Sequence, residues 1–270
     1  MPELPEVETI RRDLVKLIVG RKVIDIDTDT PKMVTPSLAV VKKAIVGAKI
    51  VSIKRRAKLL FLNLSNGKTL AIHLKLTGRL LVRDSKDPKD DWQHVTIFLT
   101  GDNQLRFADL RKFGWVKLLD KKNVVKVLEE FGPEPLDDLT LSKFSEILIS
   151  TRRPIKVLLL DQKKISGIGN IYACDALWLA GIFPEKKANE LNHVETKKLY
   201  KAVETVFLKG IKYRGASDNY YLDALGRKGS YQKHFLVYGR VGESCDRCKN
   251  EIKRSKIRGR GTFYCPVCQK

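Results

Sequence analysis

Four cysteines near the end of the chain carry the clearest chemical signal: Cys245-x2-Cys248, sixteen residues, then Cys265-x2-Cys268. Two such knuckles offer four thiolates from tight turns, the donor set and spacing of a structural zinc site. All four positions are filled by protein, so one structural Zn2+ is expected, with no open place for catalysis. A fifth cysteine, Cys174, lies outside the pattern and reads as a small core residue. Lys253, Arg254, Lys256, Arg258 and Arg260 stand between the pairs, so the metal knot would present a basic hairpin to phosphates. A second candidate is Gly167-Ile168-Gly169-Asn170, leading into an apolar helix. Its glycines permit close backbone approach, Asn170 suits an N-cap, and the free amides of the first turn could receive a phosphate. A capped helix is ordinary by itself; Arg152, Arg153 and Lys156, just upstream, turn the reading towards DNA. The third candidate is the N-terminus, where Glu3, Glu6 and Glu8 surround what would be a free prolyl amine at Pro2 once Met1 is removed. Taken alone, a proline in a first turn flanked by dipole-compatible acids is the preferred account and needs no function.

These groups need elements to hold them. Val7, Ile10, Leu14, Leu17 and Ile18 fall on one face at helical spacing, with Gly20 as a stop. From about Arg21 to Asp120 the pattern changes to short strands. Leu60–Leu64 and Thr69–Leu74 flank Asn66-Gly67, a strong hairpin signal, and 94–100 pairs with 104–108 around Thr100-Gly101-Asp102-Asn103. Such a run of strands predicts a sandwich or barrel. Beyond Gly132-Pro133-Glu134-Pro135 the spacing predicts helices over 141–150, 154–162, 170–181 and 193–212, the last with Val194, Leu199, Val203, Val206 and Phe207 as its apolar stripe. Residues 214–234 show no periodicity and read as a long surface loop, a kind of segment that is often functional. The final 35 residues, 236–270, are too few for an independent core, so the metal would supply much of their folding energy.

Lys and Arg outnumber Asp and Glu by 52 to 31, a net charge of +21, which implies a polyanionic partner and most simply nucleic acid. No apolar run approaches the roughly 18 residues of a membrane span, and the N-terminus lacks the apolar segment of a signal peptide. Paired cysteines of zinc type fit a reducing compartment, so a cytoplasmic protein with no membrane partner is expected.

The separate pieces resemble one family. Pro2-Glu3-Leu4-Pro5-Glu6, Arg55-Arg56-Ala57-Lys58, His73-Leu74, Asp109-Leu110-Arg111-Lys112-Phe113-Gly114 and Gly132-Pro133-Glu134-Pro135 are similar to segments of the bacterial formamidopyrimidine-DNA glycosylases. So are Gly169-Asn170-Ile171-Tyr172, Val237-Tyr238-Gly239 and the terminal Gly261–Cys268 segment, and the likeness runs through the whole chain in order. It implies an α+β multidomain protein. An N-terminal β-sandwich with its catalytic helix would span 1–131, a helix–two-turns–helix DNA-binding domain with the lesion loop 132–235, and a zinc-finger β-hairpin 236–270. It further implies a monomer that holds double-stranded DNA in a cleft, with an oxidised purine (8-oxoguanine or a formamidopyrimidine) or an abasic site. In a bacterial cell its work would be on the nucleoid. The base would be removed through a Schiff base on Pro2, and the strand nicked by β,δ-elimination.

The chemistry is sound for such an amine. An α-amino group titrates near 7.7–8.0, so about a quarter is neutral at pH 7.4, against roughly 0.1% for a lysine. A secondary amine also gives an iminium that is necessarily cationic and acidifies the neighbouring carbon. By the resemblance, Glu3 is the acid/base that helps open the sugar ring, Glu6 its support, Lys58 an aid to the first elimination and Arg260 to the second. Leu76, Arg111 and Phe113 would fill the space left by the extruded nucleotide, while His73, His94, Arg152, Arg153, Lys156 and Asn170 would meet the DNA. Three departures stand out: Leu76 where relatives commonly have methionine, Trp92-Gln93-His94 where they have His-Asp-His, and Gly215-Ala216-Ser217-Asp218-Asn219-Tyr220-Tyr221 in place of a Gly-Gly-Thr type of loop. Two other readings stay open at this point: an endonuclease VIII-like enzyme for oxidised pyrimidines, and a non-catalytic zinc protein that binds damaged DNA.

Overall fold

The computed structural model describes residues 2–218 and 220–270. Met1, whose removal the N-terminal chemistry requires, and Asn219, in the unusual loop, lie outside the described residues. The chain divides into two compact units, Met1–Glu129 with Tyr213–Ser230, and Glu130–Lys212 with Tyr231–Lys270.

The first unit begins with helix α1 (Leu4–Ile18), which Pro5 starts and a reciprocal capping box between Glu3 and Glu6 closes. Its expected stripe is real: Val7, Ile10, Leu14 and Ile18 are fully buried, and each such side chain contributes about 1.5–3 kcal/mol of burial energy. The strands are β1 (Val23–Thr28), β2 (Val34–Thr35), β3 (Ile50–Arg56), β4 (Leu59–Leu64), β5 (Thr69–His73), β6 (Gly78–Asp84), β7 (Gln93–Leu99), β8 (Asn103–Asp109) and β9 (Trp115–Leu119). They form a four-stranded sheet in the order β1-β7-β8-β6 and a five-stranded sheet in the order β2-β9-β5-β4-β3. Inner residues of both sheets, such as Ile26, Val95 and Phe107 from one and Leu62, Leu70 and Ile72 from the other, share one core with α1, which makes the unit a sandwich. Two helices in this stretch escaped the periodicity: α2 (Leu38–Ile45), capped by Ser37, and α3 (Lys121–Glu129), which buries no residue.

The segment read as a surface loop departs from that expectation. Tyr213–Ser230 belongs with the sandwich and not with the helices. Tyr221 and Ala224 are buried members of its core, and the Ala224 carbonyl accepts the Val82 amide at 2.8 Å. Two apolar residues anchor an otherwise polar stretch, too few to produce a periodic signal.

In the second unit, α4 (Leu141–Ile149), α5 (Ile155–Leu159), α6 (Asn170–Ala180) and α7 (His193–Lys212) match the four expected helices, although α5 is only one turn and a half. α6 is buried from Ile171 through Trp178. α7 crosses it at Gly210, where a Cβ would lie 2.5 Å from the Tyr172 hydroxyl, so only glycine permits the approach. The hairpin β10 (Lys253–Ile257) and β11 (Arg260–Tyr264) follows. It is no separate module: Cys245, Ile252 and Cys265 share a core with Cys174, Trp178 and Val237.

Candidate active site and DNA-facing residues

At the start of α1, Pro2, Glu3 and Glu6 are buried. One oxygen of Glu6 accepts the Glu3 amide at 2.8 Å; the other accepts the Ala216 amide at 2.8 Å. A single carboxylate therefore fixes the backbone beside Pro2 and also ties the returning segment Tyr213–Ser230 to it. Gly215 makes this possible. Its φ is +81°, and a Cβ there would stand 2.8 Å from Glu6 Cγ.

Lys58 lies in the turn joining β3 to β4 and is buried. Arg55 holds that turn by donating to the Ala57 carbonyl at 3.0 Å and to Glu8 Oε2 at 3.1 Å. Glu8 also receives Arg11 and Arg12. Burial alone would raise its carboxyl, but the hydrogen bonds from Arg11 and Arg12 and the charge of Arg55 bring it to about 2. Thus α1 and the lysine turn are joined through Glu8 and Arg55, neither of which the sequence marked as a positioning group. His73, paired with Leu59 across β4 and β5, is pushed down to about 3 by burial and then by the charges of Lys75 and Lys58. It is neutral at pH 7, with Nδ1 accepting the Lys75 amide at 3.0 Å.

Two loops meet on Asp109, which is fully buried. Its carboxylate accepts the Thr77 hydroxyl and the amides of Arg111 (3.2 Å), Phe113 (2.9 Å) and Gly114 (2.7 Å). Leu76 is half-buried; Arg111 and Phe113 are exposed, with the guanidinium 4.8 Å from the ring. The three expected wedge residues are therefore borne by loops anchored on one carboxylate, and the Phe113 ring is 53% exposed. His94 departs from its expected place on DNA. It is buried, its Nδ1 against Asp29 (2.8 Å) and Thr30 (3.2 Å).

In the second unit the N-cap of α6 is Gly169, and Asn170 is the first helical residue. Its side chain, freed from capping, donates to the Gly261 carbonyl at 2.9 Å. Lys156 is the larger correction. Expected at a phosphate, it is 1% exposed, and its Nζ donates to the same Gly261 carbonyl at 2.9 Å and to the Thr262 hydroxyl at 2.6 Å. An ammonium so enclosed serves the fold beside Arg260. Arg260 itself is exposed, with Lys253, Arg254, Lys256 and Arg258 on the same hairpin. Arg152 is exposed, while Arg153 is paired with Asp161 at 2.9 Å.

The four expected cysteine sulfurs lie within 4.8 Å of one another, with Cys245–Cys268 at 3.8 Å and Cys248–Cys265 at 3.4 Å. Zn–S bonds of about 2.3 Å in a tetrahedron set sulfurs about 3.8 Å apart, so the set fits zinc. Cys174 is outside it, buried, its thiol pushed up to about 11 by burial. Sequence reasoning passed over Asp175, which is fully buried and accepts the Leu236, Val237 and Tyr238 amides and the Tyr231 hydroxyl. Burial raises it to about 6 against the pull of those donors.

Known proteins give the same pieces in the same order. Residues 1–116 match the formamidopyrimidine-DNA glycosylase N-terminal domain, 131–220 its H2TH domain, and 242–270 the zinc finger found in FPG and IleRS. The formamidopyrimidine-DNA glycosylase of Herpetosiphon aurantiacus is 44% identical over 272 residues and that of Lactococcus lactis subsp. cremoris 40% over 274, each covering all of both chains. Among solved structures, a complex between Lactococcus lactis Fpg and DNA containing an abasic site has a TM-score of 0.94 at 39% identity. Another, of the same enzyme with DNA containing N7-benzyl-Fapy-dG, has a TM-score of 0.93 at 39% identity. Both cover 100% of this chain and of their own.

Proposed function

This chain belongs to the formamidopyrimidine-DNA glycosylase family, and we propose that it excises oxidised purines from duplex DNA with Pro2 as nucleophile and then nicks the strand. It is a DNA-repair glycosylase with a zinc finger, and DNA is its partner. The finer reading rests most on one observation: Glu6 grips the Glu3 amide and the Ala216 amide together beside a buried Pro2. That arrangement holds a carboxylate and an amine in fixed relation, which general acid–base work demands. No helix among the described residues is long and apolar enough to cross a membrane; we place the enzyme in the bacterial cytoplasm, acting on the nucleoid.

With Met1 removed, the neutral prolyl nitrogen attacks C1′ of the damaged nucleotide. The bond from C1′ to the base breaks, and its electron pair leaves with the base, which takes up the proton that the prolyl nitrogen gives up. Glu3 protonates the ring oxygen as the sugar opens, leaving a cationic iminium on Pro2. Loss of the C2′ proton expels the 3′ phosphate, a second elimination expels the 5′ phosphate, and water frees Pro2. Lys58 serves the first elimination. Arg260, too basic to give up a proton readily, clamps phosphate for the second. Leu76, Arg111 and Phe113 fill the gap of the extruded nucleotide. Neutral His73, its Nδ1 already an acceptor, has Nε2–H to donate to DNA, and Asn170, Arg152 and the hairpin cations serve the backbone. When bound, zinc supplies cohesion through Cys245, Cys248, Cys265 and Cys268 and no chemistry.

Borohydride added during turnover of an 8-oxoguanine duplex should leave a covalent adduct on a chain lacking Met1, mapped to the Pro2 peptide. No adduct, or one on a lysine peptide, would sink the Schiff-base reading. Faster cutting of duplexes with oxidised pyrimidines would move the substrate to the endonuclease VIII-like class.

A further inference from the structure

Trp92, Arg79 and Tyr220 form a cluster that neither the core nor the mechanism above uses. Trp92 and Tyr220 are each 40% exposed, their rings edge to face with centroids 6.1 Å apart. The Arg79 guanidinium lies 5.3 Å from the Trp92 ring, and its Nε donates to the Tyr220 carbonyl at 2.6 Å. All three belong to the first unit: Arg79 on β6, Trp92 just before β7, and Tyr220 on the returning segment. Trp92 also has a φ of +58°, a left-handed conformation that costs a bulky residue energy and persists only where the surroundings enforce it. Its carbonyl accepts the Asp109 amide at 2.9 Å, so its backbone is tied to the residue whose carboxylate gathers the Arg111–Phe113 loop.

The returning segment matters because Ala216, four residues before Tyr220, supplies the amide on the second oxygen of Glu6. Without that donor one oxygen of Glu6 loses its link to the returning segment, and the carboxylate that accepts the Glu3 amide is held less firmly. We propose that Trp92, through Arg79 and Tyr220, is a positioning residue for this reaction: it holds the segment so that Ala216 stays on Glu6 before any DNA arrives. The inference rests on Pro2 and Glu3 being the reacting groups. In this view the Trp92 ring works by its edge-to-face contact with Tyr220 and Arg79 by bridging ring and carbonyl.

Trp92→Asn tests it, because asparagine accepts the left-handed backbone that strains tryptophan but offers no ring for Tyr220 or Arg79 to meet. The variant should melt at or above the wild-type temperature. Amide exchange at Ala216 should nevertheless rise about tenfold, with β4 and β5 unchanged. Single-turnover formation of the borohydride-trapped adduct should slow about five- to tenfold, with affinity for the duplex within twofold. Trp92→Phe, which keeps a ring, should recover part of both effects. Unchanged exchange at Ala216 would overturn the proposal, and so would faster exchange with an unchanged trapping rate. Failure of the wild-type protein to trap at all would instead remove the Pro2 reading beneath it.

Discussion

In the first unit, buried carboxylates gather donors: Glu6 takes two backbone amides, Glu8 three guanidinium groups, and Asp109 three amides and a hydroxyl. The second unit has one such carboxylate, Asp175, with three amides and a hydroxyl, and adds the reverse arrangement. A buried ammonium and a carboxamide meet on one carbonyl oxygen, and four thiolates are set for a cation. The difference shows how one small protein can place an amine and a phosphate grip with separate tolerances. The carboxylate-held unit needs nothing from solution; the hairpin unit depends on a metal.

Removing the metal should open the widest gap between them. Structural zinc contributes about 10–16 kcal/mol to small domains that bind it. A strong chelator should therefore abolish amide protection over 242–270 and weaken DNA binding at least a hundredfold, while α1 exchange stays slow. Simultaneous loss of protection in α1 would end the comparison. Next in size is Asp109→Ala, which strands four donors at once. It should cost about 3–5 kcal/mol in urea unfolding, and a loss below 1 kcal/mol would mean that water replaces the carboxylate.

Lys156→Met sharpens the second unit. Removing a buried charge also removes its desolvation cost, so stability should change by no more than about 2 kcal/mol in either direction. The second strand cut should slow about tenfold relative to the first, because Gly261 adjoins Arg260. Weaker DNA binding with an unchanged product ratio would restore the phosphate role expected from sequence.

Acid gives the smallest effect, and the units should differ in sign. His73 is depressed from 6.5 to about 3, so the stability it lends is present above 6.5 and lost as pH falls towards 3. Glu8, depressed to about 2, lends stability that is lost only as pH falls below about 4.5. Asp175, raised to about 6, lends stability present below 3.8 and lost as pH rises through 6. Urea midpoints between pH 7 and 4.5 should fall less in His73→Gln than in wild type, and more in Asp175→Asn.

Much of this was legible in the residues. The α1 stripe, the Asn66-Gly67 hairpin, the four helices and the four cysteines each follow from local spacing, and the family likeness ordered them. What escaped was long-range or buried against type. Lys156 reads as surface because lysines seldom vanish into protein, and the distant Gly261 and Thr262 are among the partners that make its burial tolerable. Tyr221 and Ala224 carry a polar segment back to a core more than a hundred residues away in sequence. Asp109 and Asp175 look like ordinary surface acids until the amides they collect are known. The cap of α6 shifted from Asn170 to Gly169, one residue, and that shift released the Asn170 side chain to reach the hairpin.

The indole of Trp178 donates to the Cys245 sulfur at 3.3 Å, while the Arg247 guanidinium lies 4.2 Å from its ring. Its fluorescence is thereby wired to the metal knot. Trp92 and Trp115 belong to the other unit, so a change in tryptophan emission on zinc loss that survives their replacement by phenylalanine belongs to Trp178. The protein carries its own optical gauge of metal occupancy, readable during repair without a label.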